Sequence, residues 1–423
     1  MFQRTPRLLI VIVAVLFFVT GTYFAIRLAR GYRPSLASRA LQGTGLLAAN
    51  SVPRGASVFL NDKLTTATDD TLNLPPGQYR VKIAQDGYIP WEKTLVLEAE
   101  LVAQTNARLF PSVPDLKPLT FSGALNLTPS PDGQKIAFAV GNATTNDKNG
   151  LYVLDLFDRP FGFNSEPRQI SRPHPDFDFT VARLTWSPDS SQILVSVNLN
   201  QPDERNILLS VSSLNDIATL KDATARLPVT LSEWHELLDK KDHERLVLLP
   251  EFMQKVATES ARAVYWSPDE DKLMYTAVET LTIPENLIPP VPASSTQVQR
   301  RNLEKDNIYI YDLEEDKNFW LAAAPATDTP GVKDSSLETL SHRYSPIHFQ
   351  PVQWFPDSRH YILVQEGKIV IGEYDGTNQD TVYAGPFSDD FAYPWPNGSR
   401  LIILASLNGG SNQPPNLYSI NLK

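Results

Sequence analysis

The 423-residue chain contains no cysteine. This excludes a disulfide framework, a thiolate metal site, a cysteine nucleophile and a cysteine-linked lipid anchor, and leaves the redox compartment open. Acids are missing from the first 33 residues, which carry five Arg, so the net charge of −10 becomes −15 over the remainder. A folded part that acidic excludes a broad phosphate-binding surface, and no nucleic-acid partner is expected. Also missing are a P-loop, a dinucleotide glycine fingerprint and a nucleophile elbow around any serine. His235 and His243 each precede a Glu, but positions 239 and 247 are Asp239 and Val247, so the two-turn zinc spacing fails twice. His174 with Asp176 and Asp178 could in principle bind a cation, but the group lies between prolines in a polar loop and is not assigned as a metal site. Acidic runs at Asp389 and Asp390, and from Glu314 to Asp316, read as solvated strand ends and turns. No catalytic, cofactor-binding or metal residue is assigned, and no cofactor is implied.

What is present begins with an uncharged apolar run over residues 8–26, after a short tail at 1–7. Nineteen residues at ~1.5 Å each give roughly 28 Å of helix, enough to span a bilayer core. Arg4 and Arg7 precede the run, and Arg27, Arg30, Arg33 and Arg39 follow it within a linker at 27–44. The competing reading is a cleaved signal peptide. Against it, the run is long for that role, and the first small-x-small candidate, Ser35 to Ala37, ends about 11 residues beyond it. Taken alone, the flanking Arg count favours a cytoplasmic C-terminus. Long folded domains translocate largely regardless of nearby charge, so the bulk of the chain is expected outside the cytoplasmic membrane.

Over residues 45–111 the pattern turns to period two. Tyr79, Val81 and Ile83 share one face, with Gln78, Arg80 and Lys82 on the other. Pro75, Pro76 and Gly77 make a tight turn before this strand, and Asp86 and Gly87 end it. Four or five such strands in this length make a small sandwich. Pro53, Arg54, Gly55 and Ala56, followed by Pro76, Gly77, Tyr79, Val81, Gly87, Tyr88 and Trp91, resemble the signature of a PEGA domain, with Arg54 where the family name has Glu. The resemblance implies an all-β module of prokaryotic envelope and surface proteins, without established catalytic residues.

Residues 119–423 repeat a proline-centred turn. The copies are Ser130-Pro131-Asp132-Gly133, Ser187-Pro188-Asp189, Ser267-Pro268-Asp269, Phe355-Pro356-Asp357 and Trp395-Pro396-Asn397-Gly398. Proline presets φ for a type I turn, Asp or Asn favours the next position, and Gly or Ser lets the chain reverse. The fifth residue after each proline opens an apolar strand: Ile136, Ile193, Leu273, Tyr361 and Leu401. Trp186, Trp266 and Trp354 fill one slot two residues before the proline, which reads as packing between neighbouring sheets. Small sheets of this kind bury both faces when stacked radially. The repeats resemble those of TolB-type β-propellers, a resemblance specific to fold rather than to function.

Proline spacings of 57, 80, 88 and 40 residues leave room for insertions, so five to seven blades are expected. A short helical insertion is expected at about 230–258. Thr230 and Glu233 fit a capping box there, Trp234, Leu237 and Leu238 follow at helical spacing, and Pro250 starts a second helix with Phe252 and Val256 on one face. At about 284–301, Pro284, Pro289, Pro290 and Pro292 before Arg300 and Arg301 predict a projecting, stiffened loop.

The expected architecture is therefore all-β behind an N-terminal transmembrane helix. The expected function is non-catalytic binding or scaffolding at the cell envelope, with the bilayer as partner through residues 8–26 and a protein or glycan at the propeller rim. Two alternatives stay open: an envelope hydrolase with its site at the propeller axis, and a cytoplasmic-facing membrane-bound sensor.

Overall fold

The computed structural model describes residues 5–29, 32–35, 40–158, 166–198, 203–216, 222–292, 294–324, 352–388, 391–407 and 414–423. The described residues form two compact units, Met1–Leu109 with Pro290–Val298, and Phe110–Pro289 with Gln299–Lys423.

The first unit opens with helix α1 (Thr5–Ala29). Its stretch Ile10–Ala29 is long and apolar enough to cross a bilayer, and none of that stretch is buried in protein. At its end the Arg27 guanidinium lies 4.4 Å from the centre of the Tyr32 ring, and the Tyr32 N–H donates to the Arg27 carbonyl at 3.0 Å. A short antiparallel pair, Arg33–Ser35 with Ala40–Gln42, follows in the region expected as linker.

Beyond it, four strands pair antiparallel: β1 (Ser57–Leu60), β2 (Lys63–Ala67), β3 (Gly77–Ala84) and β4 (Trp91–Leu97). Their order across the sheet is β2-β1-β3-β4, which leaves β2 and β4 at the edges. A second sheet places Gly45–Ala49 between Asp70–Leu74 and Val102–Gln104. Alternation decides the packing. Val81, Ile83, Trp91, Leu95 and Leu97 turn inward against Leu47, Ala49 and Leu109, and the alternate residues face water.

In the second unit each proline-centred turn closes in the same way. The N–H of Ser130, Ser187, Ser267, Phe355 and Trp395 donates at 2.9 Å to the carbonyl five residues on. The N–H three residues on returns to the first carbonyl, at 2.7–3.1 Å. That residue is left-handed in every copy: Gly133, Ser190, Glu270, Ser358 and Gly398, with φ between 57° and 70°. A type I turn followed by one left-handed residue fits the right-handed twist of the strands it joins. The strand that follows is pinned in register, and Ile136, Ile193, Leu273, Tyr361 and Leu401 are all fully buried.

Five sheets of three or four strands result among the described residues. The first runs Leu125–Pro129, Lys135–Val140, Gly150–Asp155, Arg168–Ser171. The second, with three strands, is Arg183–Trp186, Gln192–Val197, Arg205–Ser210. The third is Ala261–Trp266, Lys272–Ala277, Asn307–Asp312, Lys317–Ala323, and the fourth Val352–Trp354, His360–Gln365, Lys368–Glu373, Asp380–Ala384. The fifth holds Ala392–Pro394, Arg400–Ala405 and Asn416–Asn421. It is completed by Leu116–Pro118 from the start of the unit, which pairs with Asn416–Asn421. This pairing joins the two ends of the propeller, and it places a propeller strand ahead of the expected start at 119.

Neighbouring sheets share cores. Phe138 and Leu154 of the first meet Trp395, Ile402 and Leu417 of the fifth, and Ala137 and Leu151 meet Trp186, Ile193 and Leu209 of the second. Ile310 and Leu321 of the third meet Tyr361 and Val370 of the fourth. Between the second and third sheets lie two helices, α2 (Leu227–Leu246) and α3 (Glu251–Glu259). Leu231 and Trp234 of α2 pack on Leu194 of the second sheet, and Met253 and Val256 of α3 pack on Leu273, Tyr275 and Tyr309 of the third. Helix α2 starts earlier than the capping-box reading implies. Pro228 opens it, with Arg226 at the N-cap and no side-chain cap, so Thr230 already lies inside the first turn. Pro250 stands at the N-cap of α3, as its spacing suggests.

Candidate functional site

The tryptophan slot serves packing. Trp186 is buried and its indole N–H donates to the Thr128 carbonyl of the preceding sheet at 2.9 Å. Trp354 repeats the bond to the Tyr265 carbonyl at 3.2 Å. Trp266 follows the helices instead of a sheet, and it packs partly buried in the core shared with α3. Side chains in the turns extend the linkage: the Asp132 N–H donates to Ser190 Oγ at 3.1 Å, and the Asp269 N–H to Ser358 Oγ at 3.0 Å.

The proline-rich insertion is anchored rather than projecting at both of its ends. A two-stranded ladder, Leu281–Thr282 with Asn302–Leu303, starts it. Arg301 Nη2 then lies 2.7 Å from Asp316 Oδ1, with side chains only 9% and 8% exposed. The same carboxylate accepts from Tyr311 Oη at 2.9 Å and from the Leu287 N–H at 2.8 Å. Arg301 also donates to the Pro284 and Asp316 carbonyls. Burial, and the Asp316 charge beside it, push the Tyr311 phenol far above its ordinary range. One bond away, the Asn318 amide accepts from Tyr275 Oη at 2.8 Å and donates to the Arg300 carbonyl at 2.7 Å. The reading of the run from Glu314 to Asp316 as wholly solvated is therefore corrected at Asp316. An ion pair so enclosed holds position, because both carboxylate oxygens accept from donors fixed on other elements.

A second polar cluster lies at one end of the fourth sheet. Cross-strand pairing sets His360 opposite Glu373, and Asp380 opposite Ile371, one strand further out. His360 is 2% exposed, its Nδ1 lies 2.9 Å from Asp357 Oδ2, and its ring stands edge-on to Phe110 and Phe355. Glu373 accepts from Asn378 Nδ2 at 3.1 Å and Thr377 Oγ1 at 3.4 Å. Burial pushes the Asp380 carboxyl up to about 6, His360 opposing the shift and Glu373 adding to it. Such a group can exchange a proton near neutrality. The cluster occupies the three strands after Val352–Trp354 and the turn that precedes them.

The remaining sequence candidates separate. Asp176 pairs with Arg205 at 2.6 Å, while Asp178 Oδ1 caps the Thr180 N–H at 2.9 Å. His235 Nδ1 lies 2.8 Å from the Leu231 carbonyl of its own helix. Asp389 and Asp390 lie outside the described residues. Among the described residues no group of three His, Asp or Glu side chains is arranged to hold a metal ion. Sequence reasoning missed both the Arg301–Asp316 pair and the His360 cluster. The paired Arg300 and Arg301 just after a proline-rich stretch were the available signal for the first, and none existed for the second.

The PEGA domain family matches residues 44–112. That interval holds the two sheets built around Val81, Trp91 and Leu47. No curated protein sequence matches the chain. Among solved structures, the chain is similar to a putative TolB from Agrobacterium tumefaciens at 13% identity, over 70% of this chain and 78% of that one, with a TM-score of 0.21. TolB from Acinetobacter baumannii aligns at 14% identity over 82% of this chain and 61% of that one, TM-score 0.22, so less than two thirds of that protein is spanned. Hydrazine synthase of Kuenenia stuttgartiensis aligns at 11% identity over 90% and 95%, with a TM-score of 0.19. The propeller assignment rests on the strand order and on the closing pair Leu116–Pro118 with Asn416–Asn421.

Proposed function

We propose that this chain is a single-pass, membrane-anchored envelope protein that binds or scaffolds a partner through its propeller, with the folded part outside the cytoplasmic membrane of a prokaryote. The observation that carries the reading is α1. Its apolar side chains from Ile10 to Leu28 are exposed along the whole length, and none of the described residues buries them. The 20-residue span Ile10–Ala29, apolar over most of its length, gains far more from lipid than from water. The PEGA match directly after the helix supports the envelope setting.

A non-catalytic role is supported by how the propeller uses its buried polar groups. Asp316 serves Arg301, Asn318 serves Tyr275, and Asp312 lies 3.9 Å from Lys272. These bonds fix loops and blades. The partner would be a protein or a glycan at the propeller rim, and the net −15 of the chain beyond the first 33 residues favours a cationic protein surface.

Protease added to intact protoplasts tests the placement. Digestion of the propeller, with loss of membrane retention when residues 5–29 are removed, is the expected result. Full protection in intact protoplasts, with digestion after lysis, overturns the outward orientation. A chain that stays membrane-bound without residues 5–29 overturns the anchor.

A further inference from the structure

Three Asn-x-Ser/Thr triplets without an intervening proline stand in the chain, at Asn126, Asn142 and Asn397. Such a triplet is an acceptor sequence for an N-linked glycan when its carboxamide is exposed on a surface loop. The fold commits two of the three to structure. Asn126 Nδ2 donates to the Phe179 carbonyl at 2.8 Å and to the Ala182 carbonyl at 2.7 Å, and Thr128 is buried. Asn397 lies within the last proline-centred turn, its Nδ2 donates to Asp158 Oδ2 at 2.6 Å, and Ser399 is buried.

Asn142 is the one left over. It lies in the loop 141–149 between the strands Lys135–Val140 and Gly150–Asp155 of the first sheet, at the end opposite the proline-centred turn. Asn142 and Thr144 are both exposed, and neither side chain is bonded among the described residues. The loop holds its shape without them. Asn149 Oδ1 accepts from the Ala143 N–H at 2.8 Å, and Asn146–Lys148 form one turn of 3-10 helix. Gln169 Nε2, from the fourth strand, donates to the Asp147 carbonyl at 2.9 Å and the Asn149 carbonyl at 2.8 Å. A transferase can therefore take hold of the Asn142 carboxamide and the Thr144 hydroxyl without breaking a bond that folds the blade, whereas at Asn126 two buried bonds would have to open.

We infer that Asn142 is an N-glycosylation site, the acceptor for a saccharide carried on a polyprenyl diphosphate in the envelope. Transfer forms a bond from Asn142 Nδ2 to the anomeric carbon of the saccharide. The bond from that carbon to the diphosphate oxygen breaks, and its electron pair leaves with the polyprenyl diphosphate. One amide proton passes to a base of the transferase, and nothing is oxidised or reduced. The inference rests on the outward placement proposed above, which brings the loop to the side where such a donor is used. It also narrows the partner surface: a bulky, hydrated chain on loop 141–149 occupies that end of the first blade and leaves a protein partner the other faces of the propeller.

The first arm of the test uses the folded full chain in detergent micelles, a polyprenyl-diphosphate oligosaccharide, and a purified oligosaccharyltransferase that glycosylates the free peptide 138–148. One glycan is expected, mapped to Asn142, at an initial rate within about tenfold of the free peptide's, because an exposed loop opens at little cost. Asn142→Gln and Thr144→Ala should each lose the whole mass increase. A folded chain that takes no glycan, or takes it at Asn126 or Asn397 instead, overturns the inference, as does undiminished transfer to the Thr144→Ala variant. The second arm uses chain recovered from its own membranes, where the tryptic peptide 136–148 should carry a saccharide mass that Asn142→Gln removes. Bare peptide alone, from chains that protease digests in intact protoplasts, overturns the inference and leaves the envelope placement standing. Saccharide on Thr144 or Thr145 rather than Asn142 does the same. Chains protected from protease in protoplasts overturn the placement, and this inference with it.

Discussion

Arg245, in the last turn of α2, holds Glu270 of the third proline-centred turn through Nε at 2.9 Å and Nη2 at 2.5 Å. Glu270 occupies the left-handed position that Ser190 and Ser358 fill in their own turns. There the serine hydroxyls accept from the preceding sheet's turn. Immediately ahead of the third sheet stand the two helices instead of a sheet, and α2 supplies the donor, Arg245, to the Glu270 carboxylate. The helices therefore take over a blade's position in the ring together with its linkage.

This substitution of partners gives an asymmetric expectation. Arg245→Ala should cost about 1 kcal/mol, as a partly exposed ion pair with two donors on one carboxylate oxygen is lost. Glu270→Gly loses the same pair, but it relieves a non-glycine residue held at φ 65°, worth about 1 kcal/mol in return. Urea titration should show a lowered midpoint for the first variant and little change for the second.

The enclosed pair at the base of the proline-rich insertion should be far more costly to break. Arg301→Met leaves the Asp316 carboxylate buried with an unmatched charge, and a loss of about 3–5 kcal/mol is expected. Asp316→Asn keeps an acceptor for Tyr311 but strands the guanidinium, so it should fall in the same range. Thermal unfolding followed by tryptophan fluorescence reads both.

Trp186→Phe keeps most of the ring packing and leaves the buried Thr128 carbonyl without its donor. A loss of about 1–2 kcal/mol is expected. At the looser bond of the half-buried Trp354, the same change should cost less. Equal losses at the two sites would contradict the role assigned to the indole N–H.

Asp380 sets a pH dependence of definite sign. Its carboxyl is raised from 3.8 to about 6 on folding, because burial disfavours its charged form. Between those values the folded chain binds the extra proton. The stability contributed by this group is thus complete below about pH 4, is lost as pH rises through about 6, and is level above it. Asp380→Asn should remove that component, so the difference between variant and unaltered chain, measured from pH 4 to 8, traces a step centred between those values.

The turns were legible because their demands are local. Proline, Asp or Asn and a left-handed residue within four positions specify the reversal, and the apolar residue five positions past the proline follows it into the core. Pro250 marked the start of α3 for the same reason. Ring closure by Leu116–Pro118 could not be read, since its partner lies some 300 residues away and three residues carry no pattern. Nor could the place of α2 and α3 as substitutes for a blade, because Trp234 and Met253 at helical spacing report a buried face without naming what buries it. Asp316 was misread because a run of Glu314, Glu315 and Asp316 resembles a solvated turn. Only the fold brings Arg301, Tyr311 and the Leu287 N–H to one carboxylate.

The pairing of Leu116–Pro118 with Asn416–Asn421 also sets an order of events during synthesis. The strand made first has no partner until the ribosome has added some 300 further residues, so the fifth sheet stays incomplete throughout elongation. A chain passed through a membrane channel would therefore travel with its ring open, and would acquire its final resistance to unfolding only after its last strand had emerged on the far side.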